Sequence, residues 1–303
     1  MVSTPLRSVD ALQSEGAVSS KHVRRIVFDE ADKSFELGFL EQTDSILSAC
    51  TNKHRRTALF SATSPSGVEQ MAESIMSHPL RVTIGKKDSA NQAVHQSSKF
   101  VTSEEGKLVE IRQMIRAGAL KLPCLIFSQS VDRAKALHNE SSYDGVKVGV
   151  IHGERSQADR DAVLDMFKQG KVWVLICTDS IARGIDFKGV QMVINYDVPQ
   201  SAQAYIHRIG RTGRAGQTGE AVTFYTKEDV LGSKMIVNVM KQSGNPIDDW
   251  METLGGLTKR EKQTMKKKNV TRAEISTLPF SRVPRPKGVS KRHPRKQTHE
   301  STR

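Results

Sequence analysis

The sequence runs to 303 residues with 37% apolar and 26% charged side chains, enough to build cores in one large domain or two ordinary ones. No apolar run approaches the length of a membrane span, and residues 1–10 lack the apolar core of a signal peptide. The formal charge of +13 is uneven, with 15 Lys and Arg against 3 Asp and Glu between Leu257 and Arg303, and near balance elsewhere. A polycationic end of this kind attracts phosphate backbones through counterion release, without sequence preference. From composition alone it is also a solvated, disordered end. Three cysteines (Cys50, Cys124, Cys177) form no CxxC pair and no metal-ligand spacing with the histidines, and read as reduced thiols in an intracellular protein.

In chain order, strand-like apolar runs alternate with helix-like segments. Residues 25–29 read as a strand, 34–49 as a helix, 57–61 as a strand, 66–76 as a helix and 80–84 as a closing strand. Residues 85–98 are polar and without period, which suits an interdomain linker. A second alternation then places strands at 99–102, 124–128, 146–151, 172–178, 192–196 and 221–225, with helices at 105–116, 131–139 and 157–168 among them. A last helix is expected to end near Gln242, and beyond Gly244 the chain turns basic and proline-punctuated. Such apolar strands separated by helices imply an α/β fold of parallel sheets covered on both faces, with ligands at the carboxyl ends of the strands.

The polar motifs fall at those ends. Asp29 and Glu30 follow the first strand, where one carboxylate suits magnesium held through water and the other a base on a water molecule. By themselves such a pair also suits a turn opening a helix. Ser61-Ala62-Thr63 follows the next strand and by itself would be an ordinary helix cap. A run from Thr178 to Asp186 follows a later strand with hydroxyls, a glycine and a second acid. In His207-Arg208-Ile209-Gly210-Arg211-Thr212-Gly213-Arg214 the arginines recur every three positions, as if along one face of a helical turn. Gly210, Gly213 and Gly216 are poor residues for a merely solvated helix and suit a backbone that must approach something closely.

Asp29-Glu30-Ala31-Asp32, Ser61-Ala62-Thr63, the Thr178 to Asp186 run and His207 to Arg214, in this order, resemble the DEAD-box ATP-dependent RNA helicases. Thr4-Pro5-Leu6-Arg7, Leu125-Ile126-Phe127 and His152-Gly153 followed by Gln157 and Arg160 agree with that resemblance. It covers residues 1–245 and implies two RecA-like lobes clamping ATP, Mg2+ and RNA. By the same resemblance Asp29 serves the metal, through water, and Glu30 the hydrolytic water. Asp32, Ser61, Thr63 and His207 couple the ATP and RNA contacts. Gly184 and Asp186 contact the nucleotide, Asp186 through the ribose, and Arg211 and Arg214 reach the γ-phosphate. RNA contacts fall to Thr4, Arg7, Gly153, Arg160 and Thr178, and read backbone rather than bases. The resemblance divides the chain into the C-terminal part of a first lobe (1–86), a linker (87–98), a second lobe (99–245) and a largely disordered basic tail (246–303).

Further along, the strand from Gly219, the Ser243-Gly244 turn, Trp250-Met251, Lys266-Lys267-Lys268 and Glu274-Ile275-Ser276-Thr277 resemble the subfamily acting in small-subunit ribosomal RNA processing. This implies pre-ribosomal RNA as substrate, ribosome-assembly proteins as partners, no membrane, and a nuclear and nucleolar location.

One motif of the family is not in this sequence. A phosphate-binding loop, G-x-x-x-x-G-K-[ST], would need a glycine five positions before a Gly-Lys pair. Ahead of Gly85-Lys86, Gly106-Lys107 and Gly170-Lys171 those positions hold Leu80, Val101 and Asp165. The first lobe is therefore expected to be cut at its N-terminal side and to expose sheet edge and apolar surface. A catalytically silent RNA-binding protein keeping the second lobe is the alternative reading.

Overall fold

The computed structural model describes residues 1–14, 18–34, 39–63, 66–85, 89–142, 145–182, 185, 187–247, 251, 258, 261, 272 and 275. The chain opens with a helix that sequence reading did not expect, α1 (Pro5–Gln13), which packs on α3. Pro5 occupies a first-turn position, where a missing N–H costs nothing. Strand β1 (Arg25–Phe28) pairs in parallel with β2 (Arg56–Leu59), and between them run α2 (Ala31–Ser34) and α3 (Leu40–Ala49). Of the helix expected at 34–49, the described residues show α3 from Leu40 to Ala49. Helix α4 (Ser66–Ile75) follows β2.

The strand expected at 80–84 does not form. Its apolar residues Leu80, Val82 and Ile84 are 89%, 74% and 95% exposed. Among the described residues the first sheet holds only β1 and β2, so this extended segment has no ladder to join. Val27 and Phe60 are also exposed, which is the bared apolar surface expected of this lobe.

The second lobe is a six-stranded parallel sheet in the order β3-β8-β7-β4-β6-β5. Its elements are β3 (Val94–Phe100), α5 (Glu104–Arg116), β4 (Cys124–Ser128), α6 (Val131–Ser142), β5 (Val148–Ile151) and α7 (Gln157–Lys168). Then come β6 (Val174–Thr178), α8 (Asp179–Ala182), β7 (Met192–Asn195), α9 (Ala202–Ile209), β8 (Gly219–Tyr225) and α10 (Val230–Gln242). Side-chain alternation splits the central strands between two cores. Cys124, Ile126, Val174 and Ile176 face one, whereas Leu125, Phe127, Leu175 and Cys177 face the other. That double burial explains why these strands read as unbroken apolar runs.

Strand β3 begins at Val94, inside the stretch expected as a linker, and pairs with β8 over its whole length. Its sequence hid it because it is a polar edge strand. Gln96 is buried there because its carboxamide oxygen accepts from the Tyr205 hydroxyl at 3.0 Å and its backbone N–H donates to Asn245 at 2.8 Å.

The expectation of a largely disordered tail mostly concerns residues outside the described ones, Trp250 and Lys266 to Lys268 included. Among the described tail residues, Met251, Ile275 and the Arg272 side chain are buried against the second lobe, whereas Thr258 is exposed. The three cysteines are free and buried. Among the described residues no helix is long and apolar enough to cross a membrane.

Candidate active site between the two lobes

At the end of β1 the chain turns sharply. Glu30 takes a φ of 49°, a left-handed conformation that residues with a side chain rarely adopt, and its N–H donates to the Asp29 carboxylate at 2.9 Å. The Ala31 N–H donates to the Phe60 carbonyl at 3.0 Å, which ties the start of α2 to the end of β2. Asp32 is thereby carried inward and accepts from the Thr63 hydroxyl at 2.5 Å. Ser61, itself exposed, accepts the Thr63 N–H at 3.3 Å.

The second lobe meets this cluster with α9 and the turn after it. Ser201 caps the helix by accepting the Ala204 N–H at 3.0 Å. His207 lies 2.9 Å from Asp32, Nε2 to Oδ2, and both side chains are buried. Burial raises the Asp32 carboxyl, but the hydrogen bonds of His207 and Thr63, the charge of His207 and a bond from Ser61 outweigh it and hold Asp32 at about 2. Arg211 Nη2 stands 3.8 Å from Glu30 Oε1, while its Nε and Nη1 donate to the carbonyls of His207 (3.1 Å) and Ile185 (3.0 Å). Acidic residues of one lobe therefore face basic residues of the other.

The arginines do not share one helical face. Helix α9 stops at Ile209, and Arg211 and Arg214 lie in the turn beyond Gly210. Gly213 (φ 66°) is required there because a Cβ would stand 2.6 Å from Val94 Cγ2, so the close approach is to β3. Arg208 points elsewhere. It grips Asp179 with two bonds of 2.6 and 2.8 Å, donates to the Asp197 carbonyl at 2.7 Å, and lies 5.2 Å over the Phe127 ring.

The structure thus gathers Glu30, Asp32, Thr63, His207 and Arg211 around one seam. Asp29 and Arg214 are exposed, the latter donating to the Gly210 carbonyl at 2.7 Å. Thr178 is buried at the end of β6, 3.5 Å from the Ser180 hydroxyl. Gly153 is exposed after β5, and Arg160 on α7 donates to Gln157 at 2.8 Å while its Nε has no protein partner. Thr4 and Arg7 are exposed at the start of α1. Gly184 and Asp186 lie outside the described residues.

Sequence reading missed Asp179 and Asp197 as anchors of Arg208. An acid directly after an apolar strand was available as a signal for Asp179, as it was for Asp29, whereas Asp197 holds Arg208 through its backbone carbonyl, which any residue there would supply. For the buried Lys107, which reaches the Asp197 carboxylate at 3.4 Å, the sequence carries no signal.

Asp32→Asn tests the seam. A carboxyl held at about 2 rather than its ordinary 3.8 contributes stability that is present above pH 4 and lost as pH falls through about 2. The denaturation midpoint of the parent chain is expected to exceed that of Asp32→Asn at pH 5 and to converge with it by pH 2. A gap that stays constant over that range would rule out the carboxylate as its source.

Two family models match this chain. DEAD/DEAH box helicase matches residues 1–71, and Helicase conserved C-terminal domain matches residues 106–216. The ATP-dependent RNA helicase ROK1 of Kluyveromyces lactis is 53% identical over 281 residues, covering 92% of this chain and 48% of that protein. The protein of the same name from Lodderomyces elongisporus is 57% identical, covering 92% and 51%. The chain spans about half the length of the curated relatives it matches. Among solved structures, Saccharomyces cerevisiae Dbp5 bound to RNA and ADP BeF3 superimposes with a TM-score of 0.71 at 28% identity, covering 88% of this chain and 68% of that one. Mss116p bound to ssRNA and AMP-PNP gives 0.69 at 26%, covering 83% and 54%. With both family models matched and its motifs in family order, the chain belongs to the DEAD-box helicase family.

Proposed function

We propose that this chain carries the second lobe and part of the first lobe of an ATP-dependent RNA helicase that remodels pre-ribosomal RNA in the nucleolus. The observation that supports this most is the seam itself, where Glu30 and Asp32 face Arg211 and His207. Two lobes that meet through such groups close on a triphosphate whose charge the arginines neutralise. In this reading Glu30 orients the attacking water, Arg211 and Arg214 meet the γ-phosphate, and Gly184 and Asp186 hold the nucleotide. Asp32, Ser61, Thr63 and His207 relay closure to the RNA contacts at Thr4, Arg7, Gly153, Arg160 and Thr178.

Among the described residues no three acidic, histidine or cysteine side chains converge to form a metal cage. The exposed carboxylate of Asp29 nevertheless fits magnesium, which is usually carried by one or two carboxylates, waters and the phosphates themselves. When bound, the ion would neutralise charge on the phosphates. The protein's part is to aim Glu30 and Arg211 at the same space.

Anisotropy with single-stranded RNA of several sequences tests the binding half of this proposal. Arg160→Ala is expected to weaken binding by a similar factor on every sequence, since the contact is to backbone. Loss confined to one sequence would point to base reading instead.

The basic tail adds a salt-dependent component. Residues 276–303 hold 8 Lys and Arg against 1 Glu. Removing them is expected to flatten the slope of log K against log salt by roughly 0.7 for each phosphate they neutralise. An unchanged slope would make the tail a solubilising end only.

A second reading is favoured by the absence of G-x-x-x-x-G-K-[ST] from this sequence. In it the chain binds RNA without hydrolysing ATP. RNA binding with no strand separation by this chain supports it.

A further inference from the structure

The second lobe contains a polar cluster that the seam does not use. Three carboxylates, Glu104, Asp197 and Asp229, stand beyond the carboxyl ends of β3, β7 and β8 with side chains at most 7% exposed. Two cations of the lobe answer them. Lys107 bonds Glu104 at 2.9 Å, and Arg133 bonds Glu104 and Asp197 at 2.6 Å each. The third cation comes from far along the chain. Arg272, 2% exposed, reaches Asp229 at 2.5 Å, Glu104 at 3.2 Å and the Gln129 carboxamide at 2.7 Å. Three positions on, Ile275 is buried in the apolar core that includes Leu108, Tyr196 and Phe224.

Charges taken from water need a partner, and a buried carboxylate that loses its cation is costly. Without Arg272 the slot would hold three acids against two bases. We propose that this acid-lined slot is a receptor for the chain's own Arg272, with Ile275 seated in the core beside it, and that Arg272 by filling the slot fixes the position of α9. The route is short. Asp197 sits 3.5 Å from Arg272, its carboxylate accepts the Gln129 N–H at 2.9 Å, and its carbonyl accepts from Arg208 of α9 at 2.7 Å. Helix α9 carries His207 and leads into Arg211. Arg272 is thus a positioning residue, acting on the seam through Asp197 and Arg208. The slot and its occupant stand apart from the catalytic reading, and only the consequence for Arg211 rests on it. One cation of the basic tail is accordingly committed to the lobe rather than to RNA.

The cations of the slot lower both Asp197 and Asp229. Burial raises Asp197, but the bonds and charge of Arg133, with the charges of Lys107 and Arg272, hold it at about 2. Burial likewise raises Asp229, and the bond and charge of Arg272 lead the opposing effects that lower it.

Amide hydrogen exchange on the full chain, without nucleotide or RNA, tests the proposal. Arg272→Gln is expected to speed exchange by tenfold or more in α9 and in residues 129–133. The stretch from β5 through α7, at the far edge of the sheet, should change less than twofold. Asp229→Asn combined with Arg272→Gln removes one charge of each sign and should restore most of the α9 protection. Unchanged exchange in α9 overturns the proposal, as does acceleration spread evenly over the lobe that the paired change does not repair. Should Arg272→Gln fail to fold, Arg272→Lys keeps the charge but loses the fork, and the same two patterns decide. Since no ATP is turned over in the experiment, its failure would leave the helicase reading intact.

Discussion

Supplied with ATP, magnesium and single-stranded RNA, this chain is expected to show no saturable ATP turnover above background. The seam offers Glu30 and Arg211, but Arg211 already donates to the His207 and Ile185 carbonyls and faces Glu30. Arginine groups complete a phosphate cage and do not replace the loop of amides and lysine that forms most of it. Removing even one preorganised donor from a site of this kind costs roughly 100-fold to 1,000-fold in rate. A sequence without G-x-x-x-x-G-K-[ST] lacks several, so turnover is expected below detection. Co-expression with the N-terminal half of the Kluyveromyces lactis relative should restore RNA-stimulated hydrolysis, and Glu30→Gln should remove it again. Saturable turnover by the chain alone, abolished by Glu30→Gln, would show that the phosphates are gripped by residues other than the missing loop.

Arg208→Met is expected to destabilise the second lobe by about 2–4 kcal/mol, because it strips the donor from the buried Asn195 and Asp197 carbonyl oxygens and from the partly exposed Asp179 carboxylate. The guanidinium is 3% exposed and holds Asp179, the Asn195 carboxamide and the Asp197 carbonyl together over the Phe127 ring. Methionine fills part of the volume but leaves Asp179 without its forked partner. For a unit of this size the loss corresponds to roughly ten degrees in melting temperature. Arg214→Met, at an exposed position, should stay within about 0.5 kcal/mol. Urea unfolding followed by far-ultraviolet circular dichroism measures both. A cost below about 1 kcal/mol for Arg208→Met would mean that the network is not what holds α9 in place.

The contrast between Arg208 and Arg211 shows how far the sequence could be read. Both belong to one basic run, and spacing alone treated them alike. In the structure the first is a strut inside the lobe and the second faces the other lobe, because the helix ends between them at Ile209. The basic tail gives the same lesson. Arg272 is one of fifteen basic residues between Leu257 and Arg303, and nothing in its neighbourhood marks it as buried.

Local chemistry alone determined the alternation of apolar strands and helices, the parallel sheet of the second lobe, and the acids and hydroxyls at strand ends. Those features depend on residues close together in the chain, where burial on two faces writes itself as unbroken apolar runs. Tertiary structure decided the rest. The polar edge strand from Val94 exists because β8 lies beside it, and residues 80–84 form no strand for want of a neighbour. Asp32 meets His207 across 175 positions, and Arg272 reaches Glu104 across 168. Pairings of that span leave no local period, since each partner keeps its ordinary propensity until the fold brings the two charges out of water together.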